Sequence, residues 1–309
     1  MSYMRWGLVV VVLATVACSS GPGAEAPDPA ASAGTPAERG SRLESRRVAT
    51  TPVVDGDGRD HAWASAHELT VHVGEVYLEE SGKTPVRLKS VHTDTHVFFL
   101  IRWPDTTADT THKTWVWDEV SGRYGVGGDR EDVLALALEL AGPFDAKMLS
   151  GVEAVWDVWQ WKAARTDPAG YAMDKTHSYT AANPSGKAKE FEVRGDPART
   201  MWIARPEDAG DSPQRSQPAP EARGADRVPQ YVPGVPSGSA ADVRAKGRWV
   251  EGQWTVELSR RLNTGHPDDA VLSPGSARKM AVAVFDRAEH IHHRVSEVIE
   301  LLLVDGARR

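Results

Sequence analysis

A series of strand-length apolar runs, with no helix-period segment longer than about two turns between them, most constrains what this chain can fold into. The run HVFFLIRW (96–103) is nearly continuous in apolar residues and stops at the turn pair Pro104-Asp105. DVLALALEL (132–140) alternates. Its leucines and alanines also suit a helix, but the Asp- and Gly-rich stretch Gly125–Asp129 before it favours a strand start. KGRWVEGQWTVEL (246–258) reads as a hairpin joined at Glu251-Gly252, with Trp254, Val256 and Leu258 on one face. KMAVAVFD (279–286) and VSEVIELLLVD (295–305) add two more strands. Only HAWASA (61–66) and a turn near Asp167–Met173 suggest short helices. Many strands joined by long, irregular connections predict a mainly β protein, an antiparallel β-sandwich.

Upstream of the strands lies an address label. Arg5 precedes the apolar run Leu8–Val16, which has the length of a signal-peptide core and is too short to span a bilayer. Cys18, the chain's one cysteine, follows Ala17 as in a bacterial lipoprotein, where it would become the lipidated first residue. The competing reading is a conventional signal peptide cut near Ala17. Either predicts export to the periplasm, and Ser19 after Cys18 favours an outer-membrane anchor. The expected division is a signal peptide over residues 1–17, a flexible Ala-, Gly-, Pro- and Ser-rich tether over 18–47, and a folded domain over 48–305. A domain without cysteine holds no disulfide, zinc-thiolate site or thiol nucleophile. The 309 residues carry a net charge of −7 and no Lys/Arg run longer than two, so nothing electrostatic supports nucleic-acid binding.

Residues 205–240 carry seven prolines and few apolar residues, which predicts a long, partly disordered surface insertion, with 229–236 lying on the domain. Catalytic motifs are missing. There is no GxSxG and no HExxH, and Gly125-Val126-Gly127-Gly128 lacks the lysine of a phosphate loop. The absence of CxxCH excludes covalent haem attachment.

Three stretches remain. VDGDGRDHAWASA (54–66) is a strand end, a turn and a core tryptophan, Trp63. VWDVWQWKAART (155–166) holds Trp156, Trp159 and Trp161 beside Lys162 and Arg165. In an extended strand Asp157, Trp159 and Trp161 share one face, with Val158, Gln160 and Lys162 on the other. Such a strand is either plain core or the wall of a ligand site, where indoles pack on a flat ring and cations meet its carboxylates. His290, His292 and His293 cluster in HIHH, which suits a metal site, a haem ligand or a solvated turn.

Together these stretches resemble the ethylbenzene dehydrogenase-type haem-binding domain, the b-haem γ-subunit-like module of dimethyl-sulfoxide-reductase-like enzymes. The resemblance runs in order through VDGDGRDHAWASA, HVFFLIRWPDTTAD (96–109), DREDVLALALEL (129–140), PFDAKML (143–149), VWDVWQWKAART, AKGRWVEGQWTVELSRRL (245–262) and AVAVFDRAEHIHHRVSE (281–297). WxWKAAR and GRWxxGxWxVxxxRxL are its most specific patterns. It implies an immunoglobulin-like (DOMON-like) β-sandwich around one non-covalent haem b, ligated in the best-known members by a methionine and a lysine. The methionine position, between the Pro-Phe pair and the tryptophan strand, is Met148 here. The lysine position, three residues before a serine in the last hairpin, carries His293 when Ser296 is that serine, with His292 and His290 next in line. Trp159 and Trp161 are then expected as pocket wall, and Lys162 and Arg165 as partners of the haem propionates.

The reading that follows is an exported, lipid-anchored electron-transfer protein rather than a catalyst. Its expected partners are a redox protein, the membrane through its anchor, and the catalytic subunit of a molybdenum oxidoreductase or a respiratory complex. Two alternatives stand beside it. The opening turn and the tryptophans also suit a carbohydrate-binding module, and a haem-free surface scaffold would keep the same fold.

Overall fold

The computed structural model describes residues 41–75, 83–184, 186–193, 199–288 and 294–305. The predicted signal peptide, Cys18, most of the tether, and His290, His292 and His293 lie outside the described residues. Among the described residues no helix is long and apolar enough to cross a membrane.

The expected strands form where the alternation places them, and they stack as a β-sandwich. One layer runs in hydrogen-bonded order Lys189–Val193, Arg199–Ala204, Met173–Thr180, Ala154–Lys162, Val133–Ala141 and Ala277–Phe285. The other runs Leu69–Glu75, Thr84–His92, His96–Pro104, Gln253–Arg261 and Arg244–Val250. Two strand pairs join the layers along one side: Ile299–Val304 beside Ser41–Arg47, and Arg294–Val295 beside Leu69–Glu75.

The hairpin turns at Glu251-Gly252 with φ of 48° and 84°. Positive φ at both central residues gives the twist that tight antiparallel hairpins need. HAWAS (61–65) is a single 3₁₀ turn, and DPA (167–169) is another.

Three expectations are corrected. Order begins before Val48, because Ser41–Arg47 is a strand running parallel to both its neighbours, Ile299–Val304 and Ser90–His92. It offers one apolar residue to sequence reading, Leu43, yet Leu43 and Ser45 are both buried. Residues 205–240 are not a plain loop either. Gln214–Ser216 pairs with Tyr231–Pro233, and Arg227–Val228 adds to the Trp115–Asp118 strand. Side chains fasten this stretch, with Trp115 Nε1 donating to the Gln217 carbonyl and Tyr124 donating to that of Ala225. Finally, the last apolar run is two strands, not one. Arg294–Val295 and Ile299–Val304 are separate strands, and between them Ser296 is tied to Val282, its N–H donating to the Val282 carbonyl at 2.8 Å and its Oγ accepting from the Val282 N–H at 3.1 Å.

The main core lies between the layers and contains Trp159 and Trp161, both fully buried. Trp161 meets Trp103 and Trp254 edge-on at 6.2 and 4.9 Å, and Trp159 meets Phe99 edge-on at 5.8 Å. Such ring pairs add about 0.5–1.5 kcal/mol each beyond their burial. A second apolar cluster covers the outer face of the first layer, around Phe144, Trp156, Val158, Tyr179 and Met201.

Candidate functional site

Alternation along Ala154–Lys162 divides its tryptophans between the two clusters. Asp157, Trp159 and Trp161 point between the layers, while Trp156, Val158 and Gln160 line a cavity on the outer face. The cavity measures about 130 Å³.

Its floor is made of methyl groups. Ala135 and Ala137 stand directly opposite Ala283 and Ala281 in the neighbouring strand, and all four line the cavity. On the next strand Val158 sits opposite Ala137 and Gln160 opposite Ala135. Four adjacent alanines on a sheet face, where cross-strand Cβ atoms lie about 4.5–5.5 Å apart, leave a flat recess. Trp156 and Tyr179 line it with ring centroids 4.2 Å apart, and Phe144 packs behind Trp156 at 4.9 Å. The segment between the Val133–Ala141 and Ala154–Lys162 strands brings Ala146, Lys147 and Met148 to the lining.

Three polar atoms of this lining lack partners. His177 Nε2, Trp156 Nε1 and Arg205 Nε are buried without a hydrogen bond. Unsatisfied buried donors and acceptors cost about 1–3 kcal/mol each, so three around one cavity call for an explanation. Burial, then the nearby Arg205 and Lys175 charges, holds His177 well below the ordinary histidine pKa, so its imidazole is neutral. Its Nδ1 faces the Tyr179 hydroxyl at 3.5 Å. With the proton on Nδ1, Nε2 presents a lone pair. Arg205 reaches Met148 Sδ at 3.7 Å and packs its guanidinium over Phe191 at 5.8 Å. No carboxylate pairs with Arg205 among the described residues, and burial lowers its pKa.

Of the residues expected at the site, the structure brings only Met148 to the cavity. Trp159 and Trp161 are core, because their face of the strand is the inner one; Trp156 is the indole at the wall. Lys162 is buried with Nζ 3.0 Å from Met173 Sδ. Arg165 is committed to Glu131, which also accepts the Ala164 and Arg165 N–H groups. Neither cation lines the cavity; the arginine that does is Arg205. His293, with His292 and His290, lies outside the described residues; Val295, two positions after His293, is in the lining.

Sequence reading missed His177 and Arg205. MDKTHSYT (173–180) shows weak alternation, and its one signal was the placement of His177 and Tyr179 two apart on a common face.

No curated protein is similar enough to the chain to match it. Among solved structures, a family 9 carbohydrate-binding module from Caldicellulosiruptor kristjanssonii in complex with glucose is 10% identical. That match covers 87% of this chain and 98% of that one, at a TM-score of 0.39. Its cellotriose complex gives 10% identity, coverage of 86% and 95%, and a TM-score of 0.39. Likeness at this level says nothing of ligands. The ethylbenzene dehydrogenase family profile, by contrast, matches residues 60–296, a span that holds the alanine floor, Met148, His177 and Arg205. The chain belongs to the ethylbenzene dehydrogenase family.

Proposed function

We infer that this chain is a haem b-binding electron-transfer protein. It is exported, lipid-anchored at Cys18, and works as partner or subunit of a molybdenum oxidoreductase. The observation that carries the reading is the cavity lining: a thioether, a neutral imidazole with a free Nε2 and an unpaired guanidinium converge over a flat alanine floor. Thioether and imidazole are axial donors to haem iron. A bound haem b would supply one-electron exchange at its iron. The alanine methyls, Trp156 and Tyr179 would give a planar ring its apolar lining, and Arg205 would pair with a carboxylate. At about 130 Å³ the cavity is smaller than the ~300–1,000 Å³ of sites that enclose a ligand whole, so the ring would extend past the rim at Lys147.

Met148 supplies the thioether. An imidazole from either His177, which lines the cavity, or His293, which the family resemblance suggests, would hold the iron together with it. A Met/His pair gives a relatively high potential. The tryptophans that suggested sugar stacking, Trp159 and Trp161, are fully buried and unavailable to a sugar.

The test is the ultraviolet–visible spectrum of the full chain expressed with haem supply, oxidised and reduced. A Soret band with low-spin six-coordinate features is expected, and a colourless protein would overturn the reading. Met148→Ala should convert the spectrum to a five-coordinate form. Between His177→Ala and His293→Ala, the variant that does the same identifies the second ligand.

A further inference from the structure

On the other face of the Met173–Thr180 strand, pointing away from the cavity, lies a buried acidic cluster. Asp157, Asp174 and Asp269 offer carboxylate oxygens that all lie within 4.8 Å of one another. Their exposures are 0%, 0% and 4%. One cation accompanies them: Arg260, itself buried, donates to Asp157 and, at 2.7 Å, to Asp269, beneath the ring of Trp159. Three carboxylates against one guanidinium leave a formal charge of −2. A buried charge without a partner is among the most expensive features a fold can carry.

The hydrogen bonds do not account for this cluster. Asp157 is satisfied by Trp159 Nε1, Arg260 and the Ala270 N–H. Asp174 has both oxygens buried without a partner, and so does Oδ2 of Asp269. Three carboxylate oxygens of the cluster are thus buried without a partner, and so is Oδ2 of Asp208, whose charge acts on Asp174. Asp208 is tied to the same strand through its N–H, which donates to the Asp174 carbonyl, and through Thr176, which donates to its Oδ1.

We propose that Asp174 and Asp269, backed by Asp157, form a buried binding site for a hard divalent cation of the calcium class. The donors are oxygen only, which suits calcium or magnesium and not zinc or copper. Calcium, at about 2.3–2.6 Å from each ligand, bridges oxygens up to roughly 5 Å apart, whereas magnesium at about 2.0–2.1 Å demands a tighter cage. A divalent charge cancels the formal −2. The way in is the loop that follows Gln253–Arg261. There the Asp269 carboxylate lies 3.9 Å from Nδ1 of His266, whose side chain is 39% exposed. This site is independent of the haem reading, because it occupies the opposite face of the strand that carries His177.

Terbium titration of the haem-free full chain, after chelator treatment and dialysis, tests the proposal. Excitation through the indole of Trp159 should sensitise terbium luminescence that saturates and is displaced by calcium. Calcium should also raise the apparent Tm with the logarithm of its free concentration. Asp174→Asn should abolish both effects; Asp269→Asn serves if the first variant does not fold. Luminescence unchanged in both variants would place terbium elsewhere and overturn the site. Absence of luminescence and of any calcium-dependent Tm shift at millimolar concentration would overturn it as well, leaving protons as the counter-charge.

Discussion

Gly247→Ala measures how tightly the layers close on the tryptophan strand. Gly247 stands opposite Val256 in the hairpin, and a Cβ at this position would lie 2.2 Å from Cζ2 and 2.7 Å from Cε2 of Trp161. Its φ is not among the positive ones, so alanine fits the backbone. On unfolded-state entropy alone the substitution should stabilise by about 0.4–1 kcal/mol. The contact opposes this. Trp161 cannot retreat, because Trp103 and Trp254 hold it edge-on and its Nε1 donates to Asp167 at 2.8 Å. Overpacking a fixed core costs about 1–3 kcal/mol, so the net loss should be roughly 1–2 kcal/mol. Urea denaturation of the haem-free chain reads it as a lower midpoint at unchanged slope. In a Trp161→Phe background the benzo edge is gone, and Gly247→Ala should cost less. A neutral or stabilising Gly247→Ala, or the same cost in both backgrounds, refutes the packing argument.

Other outcomes follow from single residues. Arg205→Gln should weaken haem affinity roughly 10- to 100-fold in a haemin titration, since a hydrogen bond to a charged group is worth about 1.5–3 kcal/mol; unchanged affinity would remove Arg205 from the site. Arg260→Met should lower the unfolding free energy by about 3–5 kcal/mol by stranding Asp157 and Asp269, and a loss under about 1 kcal/mol would mean those carboxylates are already neutral. Burial raises Glu257 to about 7 from an ordinary 4.5, so the folded state binds the extra proton between those values. Its contribution is therefore full below pH 4.5, declines as pH rises towards 7, and is flat above. Glu257→Gln should remove that slope from a pH series of urea midpoints, and an unaltered slope would assign it to other groups.

How far the sequence reveals this protein depends on how local each signal is. The hairpin at Glu251-Gly252 was legible because two adjacent residues and their flanking alternation specify it. Met148 was legible because a family pattern fixes its neighbourhood. Ser41–Arg47 was not, since a strand with one apolar residue declares itself only through the partners that bury Leu43 and Ser45. The cavity floor was hidden for the same reason. Ala135 and Ala137 look like ordinary alternation until Ala281 and Ala283, more than a hundred residues away, are brought alongside. Arg205 and His177 become significant only because the fold leaves Arg205 Nε and His177 Nε2 buried without a partner.

The stretch WDVWQWKAART shows why composition alone left core and ligand wall both open. Reading three tryptophans and two cations as a ligand surface treats the segment as one object, whereas a strand has two faces that see different environments. The inner face spends Trp159 and Trp161 on closing the sandwich and uses Asp157 to fix Arg260. The outer face gives only Trp156, Val158 and Gln160 to the cavity. Lys162 and Arg165 fall past the cavity, one against Met173 and the other against Glu131. The rigidity of the inner face serves the outer one: a strand clamped by an aromatic cluster and a buried ion network holds its cavity-lining side chains in fixed register. That register sets where Trp156 stands relative to His177, its direct cross-strand partner. Were the cavity to hold the haem proposed above, electron exchange with little rearrangement would draw on that fixed placement, which comes from residues outside the cavity lining.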